Sequence, residues 1–135
     1  MIRGRILAAE RRGTTALEFA LVAPMVLTLM IGLLDIGRLF GDQYALDQGV
    51  AVAARYAVVN SALASVTSIE SMFKQAVQPL LGGCGGCTIA VTFAPSYQPG
   101  AAVTVTASYP WKPSSPITLM PAQTLASSTT LTVQN

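Results

Sequence analysis

The chain has 135 residues and a net charge of +2; 52% of its residues are apolar and 10% charged, well below the roughly 25% charge of an ordinary soluble domain. That length holds a membrane segment and one small domain, and it excludes two large cores. The absence of histidine removes the commonest general base and metal ligand.

The charge is uneven. Residues 1–13 carry Arg3, Arg5, Arg11 and Arg12 against Glu10 alone, while the rest of the chain is nearly balanced. Such a basic end belongs on the cytoplasmic side of a membrane, with the residues after the apolar run outside. The same arginines do not read as a nucleic-acid surface, because no basic, aromatic-interleaved patch supports them elsewhere.

Thr14 to Leu34 is the one membrane-length apolar stretch. At about 1.5 Å per residue it makes a helix about 31 Å long, which matches a hydrocarbon core of about 30 Å. It exceeds the core of a cleaved secretory signal, so the segment is expected to be retained. Glu18 lies near its start, where a buried charge costs roughly 2.5–3.5 kcal/mol on insertion scales. The bland account of Glu18 is an acid that favours the helix dipole and snorkels to the headgroups. Pro24 interrupts the helix interior and invites a kink, and Gly32, Gly37, Gly41 and Gly49 are further soft points.

The helical pattern continues past the membrane to about residue 64, with an apolar stripe at Leu39, Leu46, Val50, Ala53 and Ala57. Arg38, Asp42, Gly49 and Arg55 fall mostly off that stripe. Asp35 with Arg38, and Arg38 with Asp42, have the spacing of surface ion pairs. Thr67 and Glu70 have the form of a capping box that opens a second, short helix through Met72, Phe73, Val77 and Leu80 or Leu81, stopped by Gly82-Gly83.

Cys84 and Cys87 come next, in a glycine-rich run. In an exported segment a disulfide is the default, and closing so short a loop adds only about 2 kcal/mol. The rival reading is a redox-active pair, although glycines surround both cysteines and no βαβ pattern flanks them. Residues 88–93 and 103–109 alternate with period two, and a last strand is expected from residue 124 or 125 to 133. Residues 95–100 read as a turn and 110–116 as a loop. Tyr109 and Trp111 are expected to cover one end of the sheet. The fold class is therefore α+β: a long N-terminal transmembrane helix running on outside the membrane, a second short helix, and a small antiparallel sheet of three or four strands. The expected organisation is a basic leader at 1–13 and a long helix at 14–64, transmembrane over about 14–34 and extracytoplasmic over about 35–64. A small exported domain occupies 65–135.

No nucleophile elbow, phosphate loop or zinc spacing is present. The sequence thus predicts no catalytic residue, metal site or cofactor.

The stretch Arg12-Gly13-Thr14-Thr15-Ala16-Leu17-Glu18-Phe19-Ala20-Leu21-Val22-Ala23-Pro24, the apolar run after it, and Ala53-Ala54-Arg55-Tyr56-Ala57 together resemble the TadE-like pseudopilins of the bacterial tight-adherence (Tad/Flp) pilus. TadE and TadF share this leader pattern. The resemblance implies that a prepilin peptidase cuts between Gly13 and Thr14, and that Glu18 guides registration of neighbouring subunits. It implies an inner-membrane minor pilin or pseudopilin with a periplasmic C-terminal domain. Its expected partners are the peptidase, other Tad pilins and pseudopilins, the membrane assembly platform and lipid. Two other functions stay open: an unprocessed, membrane-anchored periplasmic interaction module, and an exported redox protein using Cys84 and Cys87.

Overall fold

The computed structural model describes residues 3–60, 64–81, 84–94, 100–114 and 120–133, with side chains from residue 14 onward. Two helices are followed by three strands: α1 (Arg3–Val59), α2 (Val66–Leu81), β1 (Thr88–Ala94), β2 (Ala102–Trp111) and β3 (Gln123–Thr132). The strands form one antiparallel sheet in the order β1-β2-β3. The class is α+β, with one helix long and apolar enough to cross a membrane. By compactness the chain divides into Met1–Ile36 with Pro113–Met120, and Gly37–Lys112 with Pro121–Asn135.

α1 begins at Arg3, so the basic stretch before Gly13 is already helical; its Arg, Leu, Ala and Glu residues all favour helix. The helix also passes through Pro24 without ending. It runs to Val59, and residues 61–63 of the expected helix lie outside the described residues. Both the backbone N–H and the side-chain amide of Asn60 donate to the Tyr56 carbonyl, at 3.0 and 3.1 Å, so this carbonyl near the helix end takes a side-chain donor besides its helical one.

The cap of α2 differs from the expected one. Ser65, not Thr67, is the cap: its hydroxyl accepts from the Ser68 N–H at 3.1 Å, and the Ser68 hydroxyl accepts from the Ser65 N–H at 3.0 Å. Serine at the third helical position thus does the work that glutamate does in the usual capping box. Glu70 instead pairs with Lys74 one turn on, at 3.9 Å. Gly82 and Gly83, expected to stop α2, lie outside the described residues, as do 95–99 of the expected turn.

Strand pairing follows the alternation in the sequence. Val103, Val105 and Ala107 of β2 are fully buried, while the opposite face carries the cross-strand hydroxyl pairs Thr104–Thr130 at 2.9 Å and Thr106–Ser128 at 3.0 Å. One face is apolar and one wet, as antiparallel sheets allow. The expected loop at 110–116 starts later than predicted, because β2 continues through Pro110 and Trp111, opposite Thr124 and Gln123. Proline is tolerated there because β1 ends opposite Ser108, so Pro110 lies where β2 has a neighbour on one side only. Trp111 is buried, as expected of a residue covering the sheet end.

The core of the second unit combines Ala45, Leu46, Val50, Ala53, Ala54 and Ala57 of α1, Ile69, Phe73 and Val77 of α2, and the inward row of β2. The predicted stripe is mostly there, but Gly49 belongs to it, contrary to expectation. A Cβ at Gly49 would collide with Val77 and lie 2.9 Å from a ring carbon of Phe73. This glycine lets α1 and α2 approach closely. Gly37 and Gly41 have open space where a Cβ would stand. Replacing Gly49 by valine should therefore destabilise the fold by about 1–3 kcal/mol through overpacking. Gly41→Ala should be neutral or stabilise by up to about 1 kcal/mol through helix propensity. Denaturant unfolding in detergent micelles, followed by the fluorescence of Trp111, checks both.

Candidate functional site

Gly13, Thr14 and Glu18 lie on consecutive turns of α1 in the first unit. Thr14 and Glu18 are four residues apart, so they share one helix face about 6 Å apart along the axis. Every residue from Thr14 to Val22 is exposed. The apolar ones are among the most exposed in the chain, with Phe19 at 72% and Leu21 and Met25 at 75%. Over the most apolar window of Thr14–Val59, only 6% is buried within the chain. The core helix of a soluble protein would be mostly covered by its own fold. From Thr14 to Val22 this one exposes apolar side chains around its whole circumference, the pattern of a helix whose surroundings are lipid or other helices. It is compatible with a single-pass anchor.

Pro24 removes one helical N–H, and one turn later the Thr28 hydroxyl donates to the Pro24 carbonyl at 2.8 Å. Threonine thereby buries its own polar group against the backbone within an apolar segment. Beyond it, Met25, Thr28, Leu29, Gly32, Leu33 and Ile36 line an open apolar groove of about 570 Å³.

No sequence signal marks Asp35 for burial. It is 1% exposed, and its Oδ1 accepts the Ser114 N–H at 3.2 Å across 79 residues. Oδ2 finds no hydrogen-bond partner among the described residues. Asp35 therefore fastens the segment after β2 to the apolar helix. Among the described residues, the expected ion pairs of Arg38 with Asp35 and with Asp42 do not close. An acid directly after an apolar run looks like a boundary marker in sequence; only a backbone N–H from a distant segment makes it an anchor.

Asp42 belongs to the second unit and is half-buried. Burial raises its pKa above the ordinary carboxylate value, opposed by the positive charge of Arg38 and by the Trp111 indole N–H. That N–H is itself buried and lacks a hydrogen bond of good geometry, so its interaction with Asp42 is loose and burial wins. A carboxyl whose folded pKa is raised favours folding below its unfolded pKa, and that contribution is lost as pH rises through the folded value.

Cys84 and Cys87 are joined as a disulfide in the second unit, with Cα atoms 5.3 Å apart. They lie apart in sequence and in unit from Gly13, Thr14 and Glu18. The Cys84 N–H donates to the Leu81 carbonyl at 3.2 Å, the Cys87 N–H donates to the Cys84 carbonyl at 3.1 Å, and Cys84 has a positive φ of 51°. The pair thus forms a tight turn just past the C-terminal end of α2. A thiolate is stabilised at a helix N-terminus, and this is the opposite end. Among the described residues there is no cluster of acidic, cysteine or histidine side chains able to hold a metal.

Asp42→Asn should raise the melting temperature slightly at neutral pH. The gain over the wild-type chain should shrink as pH falls into the ordinary carboxylate range. Thermal scans of both chains from pH 7 to pH 3 measure this; a gain that grows toward low pH would contradict the burial of Asp42.

Comparison with known proteins adds one finding. Residues 13–55 match the family model described as TadE-like protein. No curated protein and no solved structure matches the chain. The family match begins at Gly13 and ends at Arg55, wholly inside α1, and leaves α2 and the sheet unmatched. Over residues 13–55, the chain is TadE-like.

Proposed function

We propose that this chain is a minor pilin or pseudopilin of a tight-adherence pilus, cut after Gly13 by a prepilin peptidase and acting to initiate, cap or regulate fibre assembly. The observation that carries this reading is the coincidence of three features at one place. The TadE-like match starts at Gly13, an acid follows at Glu18, and both sit at the head of an apolar helix that its own chain leaves bare. Other pilins and pseudopilins, the assembly platform and lipid are the partners that would cover it.

Hydrolysis of the Gly13–Thr14 bond leaves a carboxylate on Gly13 and an amino group on Thr14, largely protonated at neutral pH. Glu18 is the nearest acid inside the apolar stretch. In lipid, a carboxylate and an ammonium gain more from pairing than they do in water, because each is otherwise stranded. Within one chain the pair would be local, one turn apart. Between chains it would fix the axial stagger of neighbouring subunits.

The helical leader bears on the cleavage step. The bond to be cut lies inside α1, so it has to leave the helix before a peptidase can hold it in an extended form. Proline apart, glycine is the residue whose removal from helix costs least, by about 1 kcal/mol relative to alanine. Gly13 thus marks the natural opening point, and a bulky residue there both stiffens the helix and crowds the cut. The orientation follows from the arginines: leader in the cytoplasm, α2 and the sheet in the periplasm.

The disulfide is assigned a structural role, holding the turn between α2 and β1. Its position beyond the C-terminal end of α2 disfavours a reactive thiolate and so weighs against the redox alternative.

Amino-terminal sequencing of the chain, expressed with and without its cognate prepilin peptidase, tests the reading. The mature chain should begin at Thr14 only when the peptidase is present. Gly13→Val should block that processing. Glu18→Ala should leave processing largely intact and reduce assembled fibre at least several-fold. Retention of Met1 with the peptidase present would leave an anchored periplasmic module, and normal piliation by both variants would defeat the proposal.

A further inference from the structure

The apolar surface of α1 continues past its membrane-length run. Leu34 closes that run, yet Phe40 and Tyr44, both in the second unit, are 68% and 60% exposed. Four residues apart, they share one helix face. At about 1.5 Å per residue they stand about 9 and 15 Å past Leu34 along the axis. Helical side chains lean toward the N-terminus, so both rings lean back toward the headgroup layer that borders a hydrocarbon core of about 30 Å. Tyr44 has an apolar body and a polar end, whose hydroxyl accepts from the Gln48 amide at 3.2 Å.

The opposite face of the same turns carries one end of the second unit. Asp42 lies two residues from both Phe40 and Tyr44, on that opposite face, and faces the Trp111 indole. Lys112 follows Trp111 in the chain and is exposed. Pro110, on the other side of Trp111, lies beside the disulfide turn: a Cβ added at Gly86 would stand 3.4 Å from its ring. α2 ends just before that turn, and Leu80 in its last turn is 59% exposed.

The charge gathered here is positive. Beyond residue 13 the basic residues are Arg38, Arg55, Lys74 and Lys112. Lys74 pairs with Glu70, and Arg55 lies about 25 Å further along α1 than Arg38. Arg38 and Lys112 are exposed and close no ion pair among the described residues. Asp42, the acid between them, is half-buried and turned to Trp111.

We infer that this end of the second unit rests on the outer surface of the bilayer, with Arg38 and Lys112 on anionic phospholipid headgroups and Phe40, Tyr44 and Leu80 in the headgroup layer. Two observations select a lipid surface. The exposed aromatic face continues, along one helix, the apolar run that needs a membrane around it. The unpaired cations complement phosphate oxygens, to which guanidinium and ammonium groups donate strong hydrogen bonds. Long basic side chains lay their stems on apolar surface and hold their charge at the headgroups, and aromatic rings favour the same level. The inference rests on α1 being a membrane anchor. It requires neither cleavage at Gly13 nor assembly into a pilus.

The test uses the full-length chain in phosphatidylcholine vesicles, with and without added phosphatidylglycerol. An environment-sensitive fluorophore is attached at Gln123→Cys, opposite Trp111 in the sheet, or at Val59→Cys, the 81% exposed last residue of α1. Val59 stands about 37 Å past Leu34 along the helix, and the native cysteines stay joined to each other. With a quencher on the lipid headgroups and phosphatidylglycerol present, the label at Gln123→Cys should be quenched several-fold more than that at Val59→Cys. Omitting phosphatidylglycerol, or combining Arg38→Gln with Lys112→Gln, should remove most of that difference. Equal quenching at the two positions, in chains that float with the vesicles, overturns the inference and leaves this end to a protein partner or to water. Strong quenching at Gln123→Cys that ignores both changes overturns the binding of anionic headgroups. Failure to float with the vesicles overturns anchoring by α1 and the inference with it, so the two failures are distinguishable.

Discussion

α1 has to satisfy two surroundings with one continuous backbone. In its apolar half the side chains from Thr14 to Val22 are all exposed, and over its second half one face is packed while the other is open. Both requirements are met by residue choice along a single hydrogen-bonded rod. Leucine, methionine and phenylalanine provide the bare half. Alanine and glycine dominate the packed face, at Ala45, Gly49, Ala53, Ala54 and Ala57. Small residues let neighbouring elements come near the helix axis, and α2 takes that opportunity at Gly49. The remaining elements of the second unit are arranged around that packed face, since α2 contributes its three buried side chains there and the sheet its apolar row.

This arrangement explains how a small domain holds together with few large residues. The core includes one tryptophan and one phenylalanine, with valine, alanine, isoleucine and leucine filling the rest. Such a core works only if backbones lie close, because small side chains leave little to reach across a gap. The close approach at Gly49, the reciprocal serine cap of α2 and the disulfide turn after it all fix where α2 lies and where β1 begins. The polar outer face of the sheet, laced by hydroxyl pairs between β2 and β3, needs no cover.

Much of this was legible in the sequence. The apolar length, the basic end, the period-two strands and the late second helix all depend on local patterns that survive folding. The family match begins at Gly13, the second residue of the stretch that carries the resemblance. What escaped depends on partners distant in the chain. Gly49 reads as a soft point until Phe73 and Val77 are seen beside it. Asp35 reads as a surface acid until Ser114 appears. Ser65 competes with Thr67 as a cap, and the sequence offers each a plausible third residue onward, Ser68 or Glu70; glutamate at that position is simply the more familiar signal. Pro110 reads as a strand breaker unless one knows that β1 has already ended.

The bond between Asp35 and Ser114 also has a temporal side. Synthesis runs from the amino terminus, so the carboxylate at the end of the apolar run exists well before its partner, which lies 79 residues later. Closing so wide a loop is slow compared with winding a helix or forming a hairpin. α1, α2 and β1 can be in place while Asp35 still needs water or some other donor. Its burial therefore belongs to the late stages of maturation, after β2 has emerged and delivered Ser114. A chain cut short before that point would carry an exposed acid at the end of its apolar run, a local mark of unfinished folding that quality-control proteases could reach.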